Sequence, residues 1–240
     1  GDDITTNPGS NKQVAAEIDR FAPVNSNKGV KDCWSDHYAI IKAANFIIQN
    51  ASKTPTDAAS LNQAIDQAKF WRAYAYFTLV RLFGDIPLTL TNENDDFTMK
   101  PSSVEQVYEQ IVADLTSDEC EGLPASYKNA PAFLNGVNVY VTKQAVEATR
   151  AAVYMAMAGW PLGKGTAYYK KAADEAKKVI EGECNGIYDI RMDENFYDVY
   201  AMSNNYNKET ILGINYSPNV DWVQDSQLTS CDQFESLGGW

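Results

Sequence analysis

Residues 61–83 constrain this chain more than any other segment. Leu61, Ala64, Ala68, Ala75, Leu79 and Leu82 recur at helical spacing along one face, and Phe70, Tyr74, Phe77 and Val80 along a second. A helix apolar on two faces has to lie between layers, because either face left in water would forfeit its burial. The fold must therefore be built around this helix, with partners on both sides.

The flanking segments supply the partners. Trp34, Tyr38, Ile41, Asn45 and Ile48 form one helical stripe, with Asp32 placed to cap its first turn and Asn50 to end it. Gly84 gives the central helix its terminal turn, Pro87 prevents resumption, and an extended stretch, 86–91, runs into the acidic loop 92–96. Ser102 and Glu105 have the spacing of a capping box, opening a helix that buries Val104, Tyr108, Ile111 and Leu115 and ends at Leu123-Pro124. Thr142 caps an alanine-rich helix whose Ala145, Thr149, Ala152 and Ala156 let a neighbouring helix approach closely. After the turn 159–165, a further helix buries Tyr169, Ala172, Ala176, Val179 and Ile180 and stops at Gly182. A short helical pattern, 12–21, precedes them all.

Residues 34–83 and 142–182 thus read as two helix pairs with a single helix between them, joined through alanine and aromatic side chains. That arrangement predicts a mainly α, tetratricopeptide-like helical repeat scaffold. Beyond residue 186, segments 187–190 and 210–216 read as short strands in a loop-rich stretch. The expected division is a helical scaffold over 1–186 and the start of a loop-rich region over 187–240, together one domain.

Composition narrows the function. At 240 residues and 45% hydrophobic content the chain can bury a sizeable core, which excludes a disordered class. A net charge of −12 opposes sequence-independent contact with phosphate backbones, so nucleic acid is not an expected partner. No apolar run approaches the roughly 20 residues of a membrane span. Cys33, Cys120, Cys184 and Cys231 lie 87, 64 and 47 residues apart, which fits no zinc pattern. Buried free thiols are the favoured reading, with one or two disulfides left open for an exported protein. The chain starts at Gly1-Asp2-Asp3 without an initiator Met or signal peptide, stops at Gly238-Gly239-Trp240, and is read as a fragment.

The inventory for catalysis is poor. His37 is the single histidine, so a Ser-His-Asp or Cys-His centre would have to be assembled around it. The glycines of 159–165 join two helices and follow no strand, unlike a phosphate-cradling loop. The loop 92–96 lacks the glycine and distal glutamate of an EF-hand. Asp193, Glu194 and Asp198 could be put forward as a glycosidase pair, but with 32 acidic residues such groupings are common. No catalytic residue, cofactor or metal is assigned. Fourteen Tyr and five Trp suit a different task, the stacking of aromatic faces on sugar rings beside polar side chains. Trp160, Trp222 and Trp240 lie in turn or loop contexts, and Tyr197, Tyr200, Tyr206 and Tyr216 share the polar carboxy-terminal third; Trp34 and Trp71 belong to helical stripes.

The run Ala68-Lys-Phe-Trp-Arg-Ala-Tyr-Ala-Tyr-Phe-Thr-Leu-Val-Arg-Leu-Phe-Gly-Asp-Ile-Pro87 resembles the hallmark segment of SusD/RagB-type outer-membrane lipoproteins. Gly1-Asp2-Asp3, the stripe Trp34 to Asn45, the helix of 102–115 with Leu123-Pro124, and Glu209-Thr-Ile211 continue the similarity in order over nearly the whole chain. The resemblance implies a non-catalytic, surface-exposed lipoprotein of a Gram-negative outer membrane. It would bind oligosaccharide and deliver it to a TonB-dependent, SusC-like transporter. It also implies a chain about twice this length, with a lipid anchor absent from these residues. The implied glycan contacts are Arg20, Phe21, Asn25, Asn27 and Asp32 in the first loop, joined by Trp160, Trp222 and Trp240. A RagB-like peptide-binding scaffold and, behind it, a helical glycosidase are the alternatives.

Overall fold

In a computed structural model of the chain, the described residues are 12–93, 98–116, 122–125, 140–184, 191–201 and 209–214. They form seven α-helices: α1 (Gln13–Asp19), α2 (Lys28–Asn50), α3 (Ala58–Phe83), α4 (Val104–Leu115), α5 (Lys143–Ala158), α6 (Thr166–Cys184) and α7 (Phe196–Val199). Successive helices from α2 to α6 pack side by side, most extensively in the pairs α2–α3 and α5–α6, with α4 bridging them. This is the helical-repeat scaffold the sequence predicts.

The middle of α3 is the two-sided element. Phe70, Ala73, Ala75, Tyr76 and Leu79 are fully buried, whereas Leu82 near its end is 60% exposed and Ala64 near its start is also exposed. On the α2 side Trp34 meets Phe83 edge-on with ring centroids 5.0 Å apart; on the α4 side Phe77 meets Tyr108 at 6.1 Å. Each large side chain buried in this way contributes about 1.5–3 kcal/mol.

A polar network crosses the same layer. Arg72 of α3 donates from Nε to Asp114 Oδ2 (2.8 Å), from Nη2 to Asp114 Oδ1 (2.6 Å) and from Nη1 to Asn45 Oδ1 (2.8 Å), all buried. The fork-to-carboxylate geometry suits arginine, and it ties α2, α3 and α4 at one point. Asn45 passes the connection on through Nδ2 to the Thr89 carbonyl (3.0 Å). The Tyr76 hydroxyl donates to that carbonyl and accepts from the Thr89 N–H, both at 2.8 Å, while the Tyr38 hydroxyl donates to the Pro87 carbonyl (2.7 Å). Burial pushes both phenols above their ordinary range. The chain leaving α3 is thus strapped across the helices by three side chains. Ile86 pairs with Ser102 in an antiparallel bridge that returns it to α4. In the second pair, Arg150 of α5 reaches Glu175 of α6 (2.5 Å) and also donates to the carbonyl of Leu115, the last residue of α4 (2.8 Å).

Several local expectations are corrected. Asn27, not Asp32, caps α2, which starts earlier; Asp32 lies inside the helix and pairs with Lys28 one turn back. The capping box of α4 is Ser103 with Gln106, since the residue before it, Ser102, is held in the bridge to Ile86. Tyr169 and Ile180 are 52% and 59% exposed, because α6 is an edge helix that buries Ala172 and Val179 against α5. The described part of the expected strand 210–216 has no strand pairing; the other, 187–190, lies outside the described residues. Cys33 is disulfide-bonded rather than a free thiol, and its partner is not among the described side chains.

Candidate functional site

Helices that alternate in direction bring alternate turns to one end of the layer. The α1–α2 turn, the turn after α3 and the α5–α6 turn share an end: Trp34 near the start of α2 meets Phe83 at the end of α3, and Lys164 before α6 pairs with Glu105 at the start of α4. Two of the expected sugar-binding regions stand on this end, on opposite flanks.

The first follows α1. Arg20 is exposed and Phe21 is 88% exposed, in the left-handed region at φ 54°. A bulky residue there is held against its own preference. Asn25 is also exposed, with Val24 beside it at 52%. Behind the turn, Asn27 is buried. Its Nδ2 donates to the Val14 carbonyl (3.1 Å) and to Glu17 Oε2 (2.7 Å), and its Oδ1 accepts from the Val30 N–H (3.2 Å). Glu17 also accepts from the Val24 N–H (3.4 Å), and the Asn27 bond, followed by that of Gln13, holds its carboxyl below the ordinary value. The structure therefore commits Asn27 to joining α1 and α2, pairs Asp32 with Lys28 on the surface of α2, and leaves Arg20, Phe21 and Asn25 facing water.

The second is Trp160, 92% exposed on the α5–α6 turn and followed by a cis bond to Pro161. Gly163 and Gly165 take φ 61° and 68°, and the amides of Gly163, Lys164 and Gly165 return to the carbonyls of Gly159 (2.6 Å), Met157 (3.1 Å) and Ala158 (3.0 Å). The indole is thus displayed on a turn locked by its own backbone. Trp222 and Trp240 lie outside the described residues.

A third surface was less legible. On α7 and its C-cap, Phe196, Tyr197 and Tyr200 are 69%, 82% and 75% exposed, with Phe196 edge-on to both tyrosines at 6.2 and 5.4 Å. Asp193, Glu194 and Asp198 give it a polar border. The tyrosines stood out as loop aromatics, but the four-residue helix that clusters them around Phe196 has no sequence period to announce it. Next to it, Tyr74, Arg81, Ala148, Thr149, Ala152 and Glu209 help to line a cleft of about 590 Å³ between α3 and α5. Of the small residues of α5 expected at a close helix contact, Ala145 is buried in the core at the edge of this cleft, Thr149 and Ala152 line it, and Ala156 packs against the core, where Val146, Val153 and Met157 add to the burial.

His37 is 99% buried, and its Nδ1 lies 2.8 Å from the Cys33 carbonyl. Among the described residues no group of three or more His, Cys, Asp or Glu is arranged to hold a metal, and no helix is long and apolar enough to cross a membrane.

Residues 5–155 match the SusD-like family profile described as "Starch-binding associating with outer membrane". The chain belongs to the SusD-like family. It is 32% identical over 206 residues to SusD-like protein P2 of Formosa agariphila, covering 83% of this chain and 36% of that protein. It is 27% identical to a SusD-like protein of Bacteroides ovatus, covering 85% of this chain and 36% of that one. A SusD superfamily protein from Parabacteroides distasonis superposes with a TM-score of 0.76 at 26% identity, over 90% of this chain and 43% of its own. The chain therefore spans about a third of the length of the curated relatives it matches.

Proposed function

We propose that this SusD-like chain is the helical part of an outer-membrane surface protein that binds oligosaccharide without converting it and passes it to a TonB-dependent, SusC-like transporter. A lipid anchor outside these 240 residues holds it at the membrane. The family match over 5–155 carries the reading. Exposed aromatics next to polar side chains support it: Phe21 with Arg20 and Asn25, Trp160 on its turn, and Tyr197 and Tyr200 in the stretch that carries Asp193, Glu194 and Asp198. Such faces stack on the apolar side of a pyranose ring without proton transfer. The disulfide at Cys33 fits an exported protein. Burial of the single histidine against a backbone carbonyl fits binding better than turnover. We take residues 1–186 as the scaffold and 187–240 as the beginning of the loop-rich part that completes the domain.

The test is a glycan array followed by calorimetry on the intact protein, with affinity purification of its membrane partner. Micromolar to millimolar affinity for one oligosaccharide class, unchanged sugar after incubation and a co-purifying barrel transporter are expected. Absence of sugar affinity and of any transporter would overturn the proposal. Peptide affinity in place of glycan affinity would transfer the scaffold to the RagB-like reading, and hydrolysis of the sugar would make it an enzyme.

A further inference from the structure

Asp66 stands apart from every group used so far. It lies on α3 and is fully buried, and apart from the approach of the Gly122 N–H its carboxylate oxygens find no well-formed hydrogen bond. A buried, poorly paired carboxylate is costly to keep charged, so the neutral acid is the form such a site favours. Segment 122–125, between α4 and α5, lies beside it. A Cβ on Gly122 would come to 3.0 Å from Asp66 Oδ2, so this backbone lies directly against the carboxyl. The segment 122–125 is seated by Leu123, which is buried in the core, and by the Pro124 carbonyl, which accepts from the Lys143 N–H at the start of α5 (3.0 Å).

The charges around the carboxyl do little to hold it ionised. Lys69, on the same helix, and the Gly122 N–H favour the charged form, but burial is the larger influence and holds Asp66 up at about 6. Segment 122–125 contains no charged side chain, and Lys143 and Glu147 of α5 are not among the influences on it. Arg72, further along α3, is committed to Asp114. Asp118, Glu119 and Glu121, which precede Gly122, lie outside the described residues.

We propose that Asp66 is a proton-operated latch: as a neutral acid it lets segment 122–125 seat on α3, and its ionisation loosens that seat. An acid whose value is raised on folding keeps its proton longer in the folded state than in the open one. Its contribution is therefore complete below the ordinary aspartate value of 3.8 and is lost as pH rises toward 6, levelling off above.

Hydrogen exchange at the Lys143 amide tests this in the intact protein, with Asp66→Asn as the reference that cancels the intrinsic pH dependence of exchange. The wild-type to variant exchange ratio should rise about 25-fold between pH 4.5 and 7.5. A ratio constant with pH overturns the latch. If Asp66→Asn fails to fold, the carboxyl carbon shift of Asp66 in the wild-type protein decides. A midpoint near 6 supports the proposal, and one at or below 3.8 overturns it.

Discussion

Trp34 and Trp71 lie on α2 and α3 with their rings against Tyr38, Phe83, Phe70 and Tyr74 at 4.9–5.8 Å, whereas Trp160 stands on a turn with nearly all of its surface in water. The same division separates Phe70 and Phe77 from Phe21 and Phe196. The difference lies in the backbone beneath them. A helical stripe repeats, so its aromatics find partners along their own helix and, as Trp34 does with Phe83, on the next; a turn occurs once and presents its side chain to whatever comes from outside. Aromatics of the first kind should therefore set stability and those of the second kind ligand affinity, with little exchange between the two.

The largest effect expected on the scaffold side comes from its polar centre. Asp114→Ala leaves Arg72 charged, buried and without its carboxylate, and should cost about 3–5 kcal/mol in urea unfolding. Phe70→Ala should cost a similar amount, about 3–5 kcal/mol, while Trp160→Ala should stay within about 0.5 kcal/mol of the parent. A large loss of stability in Trp160→Ala would erase the division.

Two smaller experiments sharpen it. Ala73→Leu enlarges a fully buried position and should cost about 1–3 kcal/mol, whereas Ala152→Leu projects into the α3–α5 cleft and should cost under about 1 kcal/mol by thermal melting. Phe21→Gly removes a side chain from a left-handed backbone and should raise stability by about 0.5–1 kcal/mol while weakening sugar binding. A residue that costs stability where it stands and improves binding is what a functional position looks like.

The helices were legible because apolar stripes of 12–26 residues outweigh local ambiguity. Their starts were less so: Asp32 and Asn27 are both capping types within five residues, and the choice fell to Asn27 because it bonds back to α1, a contact no local pattern records. The pairing of Arg72 with Asp114 joins residues 42 apart and could not be read from spacing. The small face of α5 divides between the two roles, with Ala145 in the core and Thr149 and Ala152 on the cleft, because alanine spacing does not distinguish a tight interface from the wall of a cleft. Of the candidate sugar contacts, Arg20, Phe21, Asn25 and Trp160 stand on the surface as their turn contexts implied, and Asn27 was claimed by the fold because a side chain that can bond a hydroxyl can equally cap a helix.

The most direct test of the division is calorimetric titration of the intact protein with its array-selected oligosaccharide, comparing the parent with Trp160→Ala and Phe21→Ala at matched melting temperatures. At least a fivefold loss of affinity in one of them, with both melting within about 2 °C of the parent, is the predicted result. Unchanged affinity in both variants would contradict it.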